Sequence, residues 1–445
     1  MTYADALAYL DSLTNYERRR DPQAMQRIQL ERMQRLCRRL GRPEAAFRSV
    51  LVAGTNGKGS ICAMIYAMLR QAGLRTGLYT SPHLEDVRER IRVSSTPGAE
   101  EDWISEANFA SSVRAVRDAA ASPEFADDPP TYFEVMTAVA FRHFFDSRVS
   151  VAVLEVGLGG RLDATNVVEQ AVSVIAPIGQ DHTDVLGAEL ASIAREKAGI
   201  IKPHGTVVVG VQPPEAAAAI AQAAAERGAR LLQLGRELQV ECRINRDEGM
   251  TLDLLGTRGA YRELWLPLIG GHQADNAAVA VAAVEALSEA GVPHAAIQAG
   301  LASVSWPGRL EVVQRRPVVV LDGAHNAPAA QALRAALAAW WPERPLHVLM
   351  GLSGDKAVAD IAAVLAAGAA SVVCTKSRHP RACDPQRLAD ACAPHGPAPT
   401  VIPEAADALT YALNAAGSDG VIVVTGSLFL VGELRPAIRA GCGVR

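Results

Sequence analysis

The chain has 445 residues, of which 49% are hydrophobic and 21% are charged, and its formal net charge is −4. This length exceeds one ordinary core, so we expect two domains, and the weak negative charge excludes the basic footprint of a nucleic-acid-binding protein. The seven cysteines contain no C-x-x-C pair, and no uncharged apolar run reaches the roughly 20 residues that a membrane helix needs. We therefore predict a cytoplasmic protein with neither nucleic acid nor membrane as partner, and we expect a monomer.

Short β-rich runs alternate with longer helical patterns along most of the chain. An amphipathic helix is predicted around Leu30 to Leu40, ahead of the first strand. The predicted strands are residues 50–53, 76–80, 149–156, 171–178, 206–211, 318–321, 346–350, 371–374 and 421–424. This alternation predicts an α/β fold with a mostly parallel sheet that helices cover on both faces.

Two breaks in this alternation suggest how the chain divides. Residues 231–268 combine short strand-like runs with turn signals, as in an antiparallel appendage, and the α/β pattern restarts after Pro307 and Gly308. We predict an N-terminal P-loop-type domain at 1–302 and a smaller Rossmann-like C-terminal domain at 303–445. Ligands of such sheets bind beyond the carboxyl ends of the strands, so we expect a nucleotide held between the domains.

The stretch "GTNGKGS" follows the first predicted strand and precedes a helical pattern. Its glycines allow backbone N–H groups to converge on phosphate oxygens, while Lys58 can reach the outer phosphates. The usual phosphate-loop motif places a hydroxyl directly after its lysine as a magnesium ligand, whereas this chain has Gly59. We therefore predict a phosphate loop that takes one metal ligand from elsewhere.

Three further segments carry polar residues at or beyond the ends of predicted strands. Ser81 could supply the missing hydroxyl, and Glu155 closes an apolar strand, where a carboxylate is costly unless a cation accompanies it. His182 is a candidate ligand, and Lys197 follows it in a helical run. Arg90 lies with two other arginines on a predicted loop, where it could bind carboxylates or phosphates.

The second domain adds a further set of candidate nucleotide ligands. Asn276 can hydrogen-bond an adenine edge, and Arg309 can neutralise phosphates. Asp322 and His325 lie on a predicted strand-to-helix loop that faces the crevice.

Two other patterns are rejected. The glycines of "GLGGRLD" lack the third glycine of a dinucleotide-binding loop, and the cysteines and histidines between Cys374 and His395 lack the close cysteine pair of a structural zinc site.

Taken in order, the motifs resemble those of the Mur ligase superfamily, and within it of folylpolyglutamate synthase/dihydrofolate synthase. The matching stretches run through nearly the whole chain and include "AGTNGKGS", "TSPHL", "TYFE", "LEVGLGGRLDATN", "QDHTDVLG", "REKAGIIKP", "HQADNAAVA", "PGRLE", "LDGAHN" and "TGSLFLVGE". The resemblance implies a ligase that uses ATP to convert a substrate carboxylate to an acyl phosphate, which the amine of L-glutamate then attacks.

The resemblance also implies roles for individual residues. The implied catalytic residues are Lys58, Glu155, His182, Lys197 and His325. ATP is expected on Thr55, Asn56, Gly57, Lys58, Asn276, Arg309 and Asp322, and magnesium, as two ions, on Ser81, Glu155, His182 and Lys197, with Lys197 carboxylated on its side-chain nitrogen. The dihydropteroate or folate and glutamate substrates are expected on Thr131, Tyr132, Phe133, Glu134, Leu162, Asp163, Ala164, Arg90 and Ser427, with residues 26–28 as a further pterin segment.

Three alternatives stay open at this point. The enzyme could be a folylpolyglutamate synthase alone, or it could ligate an amino acid to a cell-wall precursor. A nucleotide-dependent switch protein without ligase chemistry is the alternative from another class.

Overall fold

The computed structural model describes residues 1–18, 21, 28–94, 102–169, 171–181, 187, 189–245, 248–287 and 291–441. The helices are α1 (Tyr3–Asp11), α2 (Leu30–Arg39), α3 (Lys58–Gln71), α4 (Glu106–Ala120), α5 (Tyr132–Asp146), α6 (Leu190–Ala198), α7 (Pro214–Glu226), α8 (Gly271–Leu287), α9 (His294–Ala302), α10 (Ala327–Trp340), α11 (Val358–Ala366), α12 (Pro385–Cys392), α13 (Ala405–Ala416) and α14 (Leu428–Arg439). Short 3₁₀ turns include Val87–Arg90 and Ala164–Val167.

The first sheet contains seven strands within the described ranges, in the order β3-β2-β4-β1-β5-β6-β7. Its strands are β1 (Arg48–Ala53), β2 (Thr76–Tyr79), β3 (Ile91–Val93), β4 (Val151–Glu155), β5 (Ala171–Ile175), β6 (Thr206–Val209) and β7 (Arg230–Gln233). All neighbouring pairs are parallel except β2 with β3, so the carboxyl ends of β1, β2, β4 and β5 meet at one edge. The loops that follow these four strands therefore come together.

Burial explains why β1 lies at the centre of this sheet. Five of its six residues are buried, as expected of a parallel strand that helices cover on both faces. The helices pack closely: a Cβ added to Gly300 of α9 would lie 2.4 Å from the Cα of Met68 in α3. One cluster of the core joins α1, α2, α4 and α5 to the sheet, and another lies under α6 and α7.

The predicted appendage is a separate sheet of three strands, in the order β10-β9-β8, among the described residues. Its strands are β8 (Gln239–Asn245), β9 (Gly249–Leu255) and β10 (Ala260–Leu266). Buried Glu285 of α8 accepts hydrogen bonds from Thr257 N, at 2.7 Å, and from Tyr261 Oη, at 2.8 Å. The turn between β9 and β10 is thereby attached to that helix.

The remaining sheet contains six strands of the described chain, in the order β11-β12-β16-β13-β14-β15. They are β11 (Glu311–Arg315), β12 (Val318–Leu321), β13 (Leu346–Met350), β14 (Ser371–Lys376), β15 (Thr400–Glu404) and β16 (Val421–Thr425). Only the edge strand β11 is antiparallel to its neighbour. The predicted α/β class, with a mostly parallel N-terminal sheet and a second α/β sheet, is confirmed.

The chain separates into two compact units. Unit 1 comprises Met1–Glu241, Leu252–Trp265 and Ala274–Val304, and unit 2 comprises Cys242–Thr251, Leu266–Gln273 and Ser305–Arg445. Over the part of the chain that is described, no helix is both long and apolar enough to cross a membrane.

Candidate active site

The phosphate loop, residues 54–58, follows β1 by a path that two glycines make possible. Gly54 has φ +150°, and a Cβ there would lie 2.6 Å from Ala176 Cβ. Gly57 has φ +83°, and its Cβ would lie 2.7 Å from Asn276 Oδ1. Larger residues would collide at both positions, so the loop approaches the segment after β5 and the start of α8 closely, and Asn276 lies beside it.

Backbone hydrogen bonds fix the first half of this loop. The N–H groups of Thr55 and Asn56 donate to Pro177 O at 3.0 and 3.2 Å, and Thr55 Oγ1 donates to Gly179 O at 3.0 Å. The α3 helix then begins at Lys58, with Gly57 as an N-cap that contributes no side-chain hydrogen bond. A helix N-terminus of this kind attracts an anion through its N–H groups and its partial positive charge.

Two lysines converge on the phosphate loop. Lys197 of α6 is buried, and its Nζ donates to Gly54 O at 2.8 Å, whereas Lys58 Nζ lies 3.4 Å from Thr55 O. Burial, and then the nearby charge of Lys58, lower the pKa of Lys197 to about 7. At neutral pH much of Lys197 is therefore an uncharged amine, the form that can react with carbon dioxide.

Glu155 and Ser81 meet at the same sheet edge. Glu155 ends β4 and is buried, and its Oε2 accepts a hydrogen bond of 3.1 Å from the backbone N–H of Ser81, just after β2. Carboxylate and hydroxyl oxygens suit a hard cation such as Mg²⁺. His182, the third predicted ligand, lies outside the described residues, as does Gln26 of the predicted pterin segment.

The described part of the chain contains no group of three or more His, Cys, Asp or Glu side chains in a metal-binding arrangement. The predicted ligand set is of a different kind, because it combines a serine, one carboxylate, one histidine and a modified lysine.

Hydrogen bonds to Asp163 close the second glycine loop, residues 157–163. Buried Asp163 accepts hydrogen bonds from Gly157 N and Leu158 N, both at 3.0 Å, and from Thr165 N at 3.0 Å and Thr165 Oγ1 at 2.6 Å. Burial nevertheless raises the pKa of this carboxyl above its usual value. Asp163 thus organises the loop, and Leu162 and Ala164 are its immediate neighbours in the chain.

The "TYFE" stretch forms the start of α5. Thr131 is the N-cap, and Glu134 completes a capping box by accepting hydrogen bonds from Thr131 N at 2.8 Å and Thr131 Oγ1 at 2.7 Å. Arg32 Nε of α2 donates to both oxygens of Glu134 at 2.9 Å. Phe133 lies against the second glycine loop, since a Cβ on Gly157 would be 2.5 Å from its ring. The cap therefore orients Phe133 toward that loop.

Arg90 differs from the sequence-based expectation of a loop residue. It ends the 3₁₀ turn before β3 and is 1% exposed. Its Nη1 and Nη2 donate to the two oxygens of Glu17 at 2.9 and 2.6 Å, and its Nε donates to His83 Nδ1 at 2.9 Å. Burial, followed by the charge of Arg90, lowers the pKa of His83 to about 4, so His83 is neutral. The guanidinium carbon lies 5.5 Å from the ring centroid of Tyr132.

Unit 2 contains a polar cluster of its own at the carboxyl end of β12. Buried Asp322 accepts hydrogen bonds from Leu310 N at 2.9 Å and Ala324 N at 2.8 Å. Arg309 passes over the next residue, since a Cβ on Gly323 would be 3.2 Å from Arg309 Nη1. Asp322 therefore fixes the backbone directly after Arg309 and within its own turn.

Two further predicted residues lie beyond strands of the same sheet. His325 follows β12, and its Nδ1 is 2.8 Å from Gly323 O. Ser427 follows β16 and caps α14 by accepting a hydrogen bond of 3.1 Å from Phe429 N. The ring of Phe429 in turn stacks on His379, with centroids 3.7 Å apart.

Three residues near these groups were missed by the sequence-based prediction. Arg32 and Glu17 have their partners about a hundred and about seventy residues away, and no local pattern reveals such pairs. His83 could have been found, because "SPH" directly follows a predicted strand whose serine was already chosen as a metal ligand.

Comparison with known domain families gives two matches. Residues 52–284 match the Mur ligase middle domain, and residues 308–428 match the Mur ligase glutamate ligase domain. The chain is 35% identical to the dihydrofolate synthase/folylpolyglutamate synthase of Bacillus subtilis over 92% of this chain and 95% of that protein.

Solved structures give the same result. The Mycobacterium tuberculosis folylpolyglutamate synthase complexed with ADP has a TM-score of 0.88 at 36% identity, over 98% of each chain. E. coli FolC in complex with DHPP and ADP has a TM-score of 0.86 at 32% identity, over 99% of each chain.

Proposed function

Because the chain belongs to the dihydrofolate synthase/folylpolyglutamate synthase family of Mur ligases, it is an ATP-dependent ligase, and we propose that it joins L-glutamate to dihydropteroate, to folates, or to both. The observation that carries this proposal is the meeting of Lys58, Lys197, Ser81 and Glu155 at the carboxyl edge of the first sheet. The relatives support the choice of substrates: the Bacillus subtilis protein is a dihydrofolate synthase/folylpolyglutamate synthase, and E. coli FolC binds DHPP and ADP.

The reaction places several negative charges together. A carboxylate oxygen of the acceptor attacks the γ-phosphorus of ATP, ADP leaves, and an acyl phosphate forms; the amine of glutamate then displaces inorganic phosphate and an amide remains. Such a transfer depends on positioning and on cations more than on covalent catalysis. Lys58 and the N–H groups at the start of α3 would stabilise the phosphate oxygens.

The chemistry of the donor set fits magnesium. Ser81, Glu155 and a carboxylated Lys197 would hold it, together with His182. When bound, Mg²⁺ would neutralise part of the phosphate charge.

Lys197 is proposed to carry its carboxylate as a carbamate. Its neutral amine attacks carbon dioxide, one proton is released, and the product is an anion with two oxygens. Burial and the neighbouring Lys58 support this step, because both favour the uncharged amine.

Further residues are proposed to bind ATP. Thr55 to Lys58 would hold the phosphates, and Asn276, Arg309 and Asp322 would also bind the nucleotide. His325 would serve catalysis and Ser427 would contact a substrate, while "TYFE", Leu162 to Ala164 and Arg90 would serve the acceptor.

The broader organisation is part of the proposal. We place the domain boundary between residues 302 and 303 and propose that the protein is a monomer. We also place it in the cytoplasm, where ATP is available and thiols stay reduced. Limited proteolysis and light scattering would test the boundary and the monomeric state.

A two-acceptor assay tests the function directly. Purified protein with ATP, Mg²⁺ and L-glutamate should release ADP with dihydropteroate and with a reduced folate. Activity with the folate alone would leave a monofunctional folylpolyglutamate synthase, and turnover only with a uridine-nucleotide acceptor would point to cell-wall chemistry. Nucleotide binding without turnover on any acceptor would contradict the proposal.

A further inference from the structure

Glu17 and Arg90 form an unequal ion pair. The Arg90 side chain is 1% exposed, whereas the Glu17 side chain is 28% exposed. A buried guanidinium needs a carboxylate partner, because an uncompensated charge in the interior is costly. The positive partner is thus fixed inside the protein, and the carboxylate reaches it from the solvent side.

The geometry of the pair is the one by which a guanidinium recognises a free carboxylate. Two parallel hydrogen bonds, at 2.9 and 2.6 Å, join Nη1 and Nη2 to the two oxygens of Glu17. The third nitrogen, Nε, donates to His83 Nδ1. His83 therefore helps to orient the guanidinium group, and its two terminal nitrogens, Nη1 and Nη2, face the carboxylate partner.

This pair lies between two predicted parts of the active site. Thr80 N donates to Arg90 O at 3.0 Å, so Arg90 is adjacent to the strand end that leads into Ser81. On its other side is the ring of Tyr132, which belongs to the predicted acceptor segment. A carboxylate-bearing acceptor that contacted both parts would bring its carboxylate to this guanidinium.

Glu17 is positioned by a short turn and not by a helix or strand. Asn15 Oδ1 accepts a hydrogen bond from Glu17 N at 2.9 Å, and Thr14 O accepts one from Tyr132 N at 3.0 Å. The turn therefore rests on the start of α5, directly beside the predicted acceptor segment. A carboxylate on such a turn can leave Arg90 without disturbing the sheet.

From these observations we propose that Glu17 is an internal substitute for the acceptor's carboxylate: it occupies Arg90 and exchanges with the carboxylate of the incoming pterin substrate. This inference rests on the proposed function. It assigns Glu17 a role in acceptor affinity, since every binding event must displace it. The exchange transfers no atoms; one bidentate ion pair replaces another.

The test is the variant Glu17→Gln, which keeps the shape of the side chain and removes its charge. Calorimetry with a non-hydrolysable ATP analogue and dihydropteroate should show tighter acceptor binding than in the unmodified protein. If Glu17 occupies Arg90 nine-tenths of the time, the Kd should fall roughly tenfold, because the apparent Kd scales inversely with the competent fraction. The ligand-free variant should also melt at a lower temperature.

A purely structural role predicts no tightening of acceptor binding. Loss of a structural ion pair would leave the acceptor Kd unchanged or raise it, and either result would overturn the proposal. A dihydropteroate analogue that lacks the carboxyl group should bind both proteins equally; if Glu17→Gln also tightened its binding, exchange with a carboxylate would be refuted.

Controls separate this inference from the proposed function. Asp11→Asn removes an acidic charge from the same N-terminal region, where Asp11 pairs with Arg18, and should leave the acceptor Kd unaltered. If Glu17→Gln does not fold, Glu17→Asp, whose carboxylate is one methylene shorter in reach and so pairs less well with Arg90, should still tighten binding by a smaller factor. Failure of the unmodified protein to bind either acceptor would refute the function, whereas normal binding without tightening in the variants would refute only this inference.

Discussion

The phosphate loop and the second glycine loop each follow a buried strand of the first sheet, and each begins at a glycine. In the second loop the N–H groups of Gly157 and Leu158 both donate to Asp163, at 3.0 Å. In the phosphate loop no side chain caps the helix that starts at Lys58. Both loops thus take a sharp backbone path at a glycine, and they differ in that an acid of the second loop, Asp163, accepts hydrogen bonds from the N–H groups at its start.

Lys197 joins these two loops. Its Nζ donates to Gly54 O, and its own carbonyl would be 2.8 Å from a Cβ on Gly160. Changes at Lys197 should therefore affect catalysis through one loop while its backbone stays held by the other.

The largest effect is expected for Lys197→Ala. The proposed carbamate would be lost as a metal ligand, so turnover should be nearly abolished while the circular dichroism spectrum stays that of the folded protein. Short carboxylic acids in the buffer should partly restore ADP release, because they supply the missing oxygens. Rescue by small alkylamines instead of carboxylates would show that Lys197 acts as a plain cation.

Removal of a cation should affect ATP turnover strongly in the phosphate loop and weakly in the second glycine loop. Lys58→Ala should lower kcat/KM for ATP by about 10²- to 10³-fold, the range seen when a stabilising group is removed from a developing charge. Arg161→Ala removes a half-exposed cation from the second glycine loop, paired there with Glu196, and should change kcat/KM less than about twofold. Equal losses in steady-state kinetics would mean that both loops bind phosphate.

Asp163→Asn tests the internal role of the second loop. The amide nitrogen of asparagine would place N–H groups opposite donors from which Asp163 now accepts hydrogen bonds. The free energy of unfolding should therefore fall by about 1–3 kcal/mol. Urea denaturation measures this change. Glu169→Gln, on an exposed side chain of the same segment, should stay within about 0.5 kcal/mol of the unmodified protein. Equal losses of unfolding free energy in the two variants would show that Asp163 does not organise the loop.

The hydroxyl that the phosphate loop lacks is expected from Ser81. Ser81→Ala should raise the magnesium concentration for half-maximal activity by about tenfold, because one oxygen ligand is lost from a site with several. Ser60→Ala, in the first turn of α3, should have a smaller effect. A larger effect of Ser60→Ala than of Ser81→Ala in magnesium titrations would indicate that the metal ligand is the Ser60 hydroxyl.

The smallest effect concerns stability against pH. In the unfolded chain Lys197 titrates at its ordinary value of 10.5, and in the folded protein at about 7. Between these values the unfolded state binds more protons, so stability should rise with pH, and below pH 7 the contribution stops changing. In buffers free of carbon dioxide, Lys197→Met should reduce the rise between pH 8 and pH 9 by at most about 1.4 kcal/mol.

Lys202 has a pKa lowered to about 8 and would contribute to the rise in both proteins, so only their difference is informative. Identical slopes in pH-dependent denaturation would contradict the buried, neutral Lys197.

Strands with two buried faces could be predicted from sequence, and edge strands could not. The runs at 318–321 and 346–350 coincide with β12 and β13, whose residues are almost entirely buried. By contrast β15, "TVIPE", contains a proline and has no fully buried residue, and β3 has three residues. An edge strand pairs with a single neighbouring strand and is less buried, so its sequence carries little of the apolar signal on which prediction depends.

The site was predictable where residues follow strands. Ser81, Glu155 and the phosphate loop could be placed together because parallel strands end at one edge. The partners of Arg90 and Glu134 could not, since Glu17 and Arg32 belong to the N-terminal region and meet them only through tertiary packing. Their pairing depends on burial, which a single sequence does not reveal.

The order of strands in the first sheet has a consequence for how the chain is made. The central strand β1 pairs with β4 and β5, which begin roughly a hundred residues later. At the 5–20 residues per second of translation, β1 emerges about 5–20 s before its neighbours exist. During that interval its apolar residues have no sheet to join, so the phosphate loop is synthesised before the strands that give it its shape.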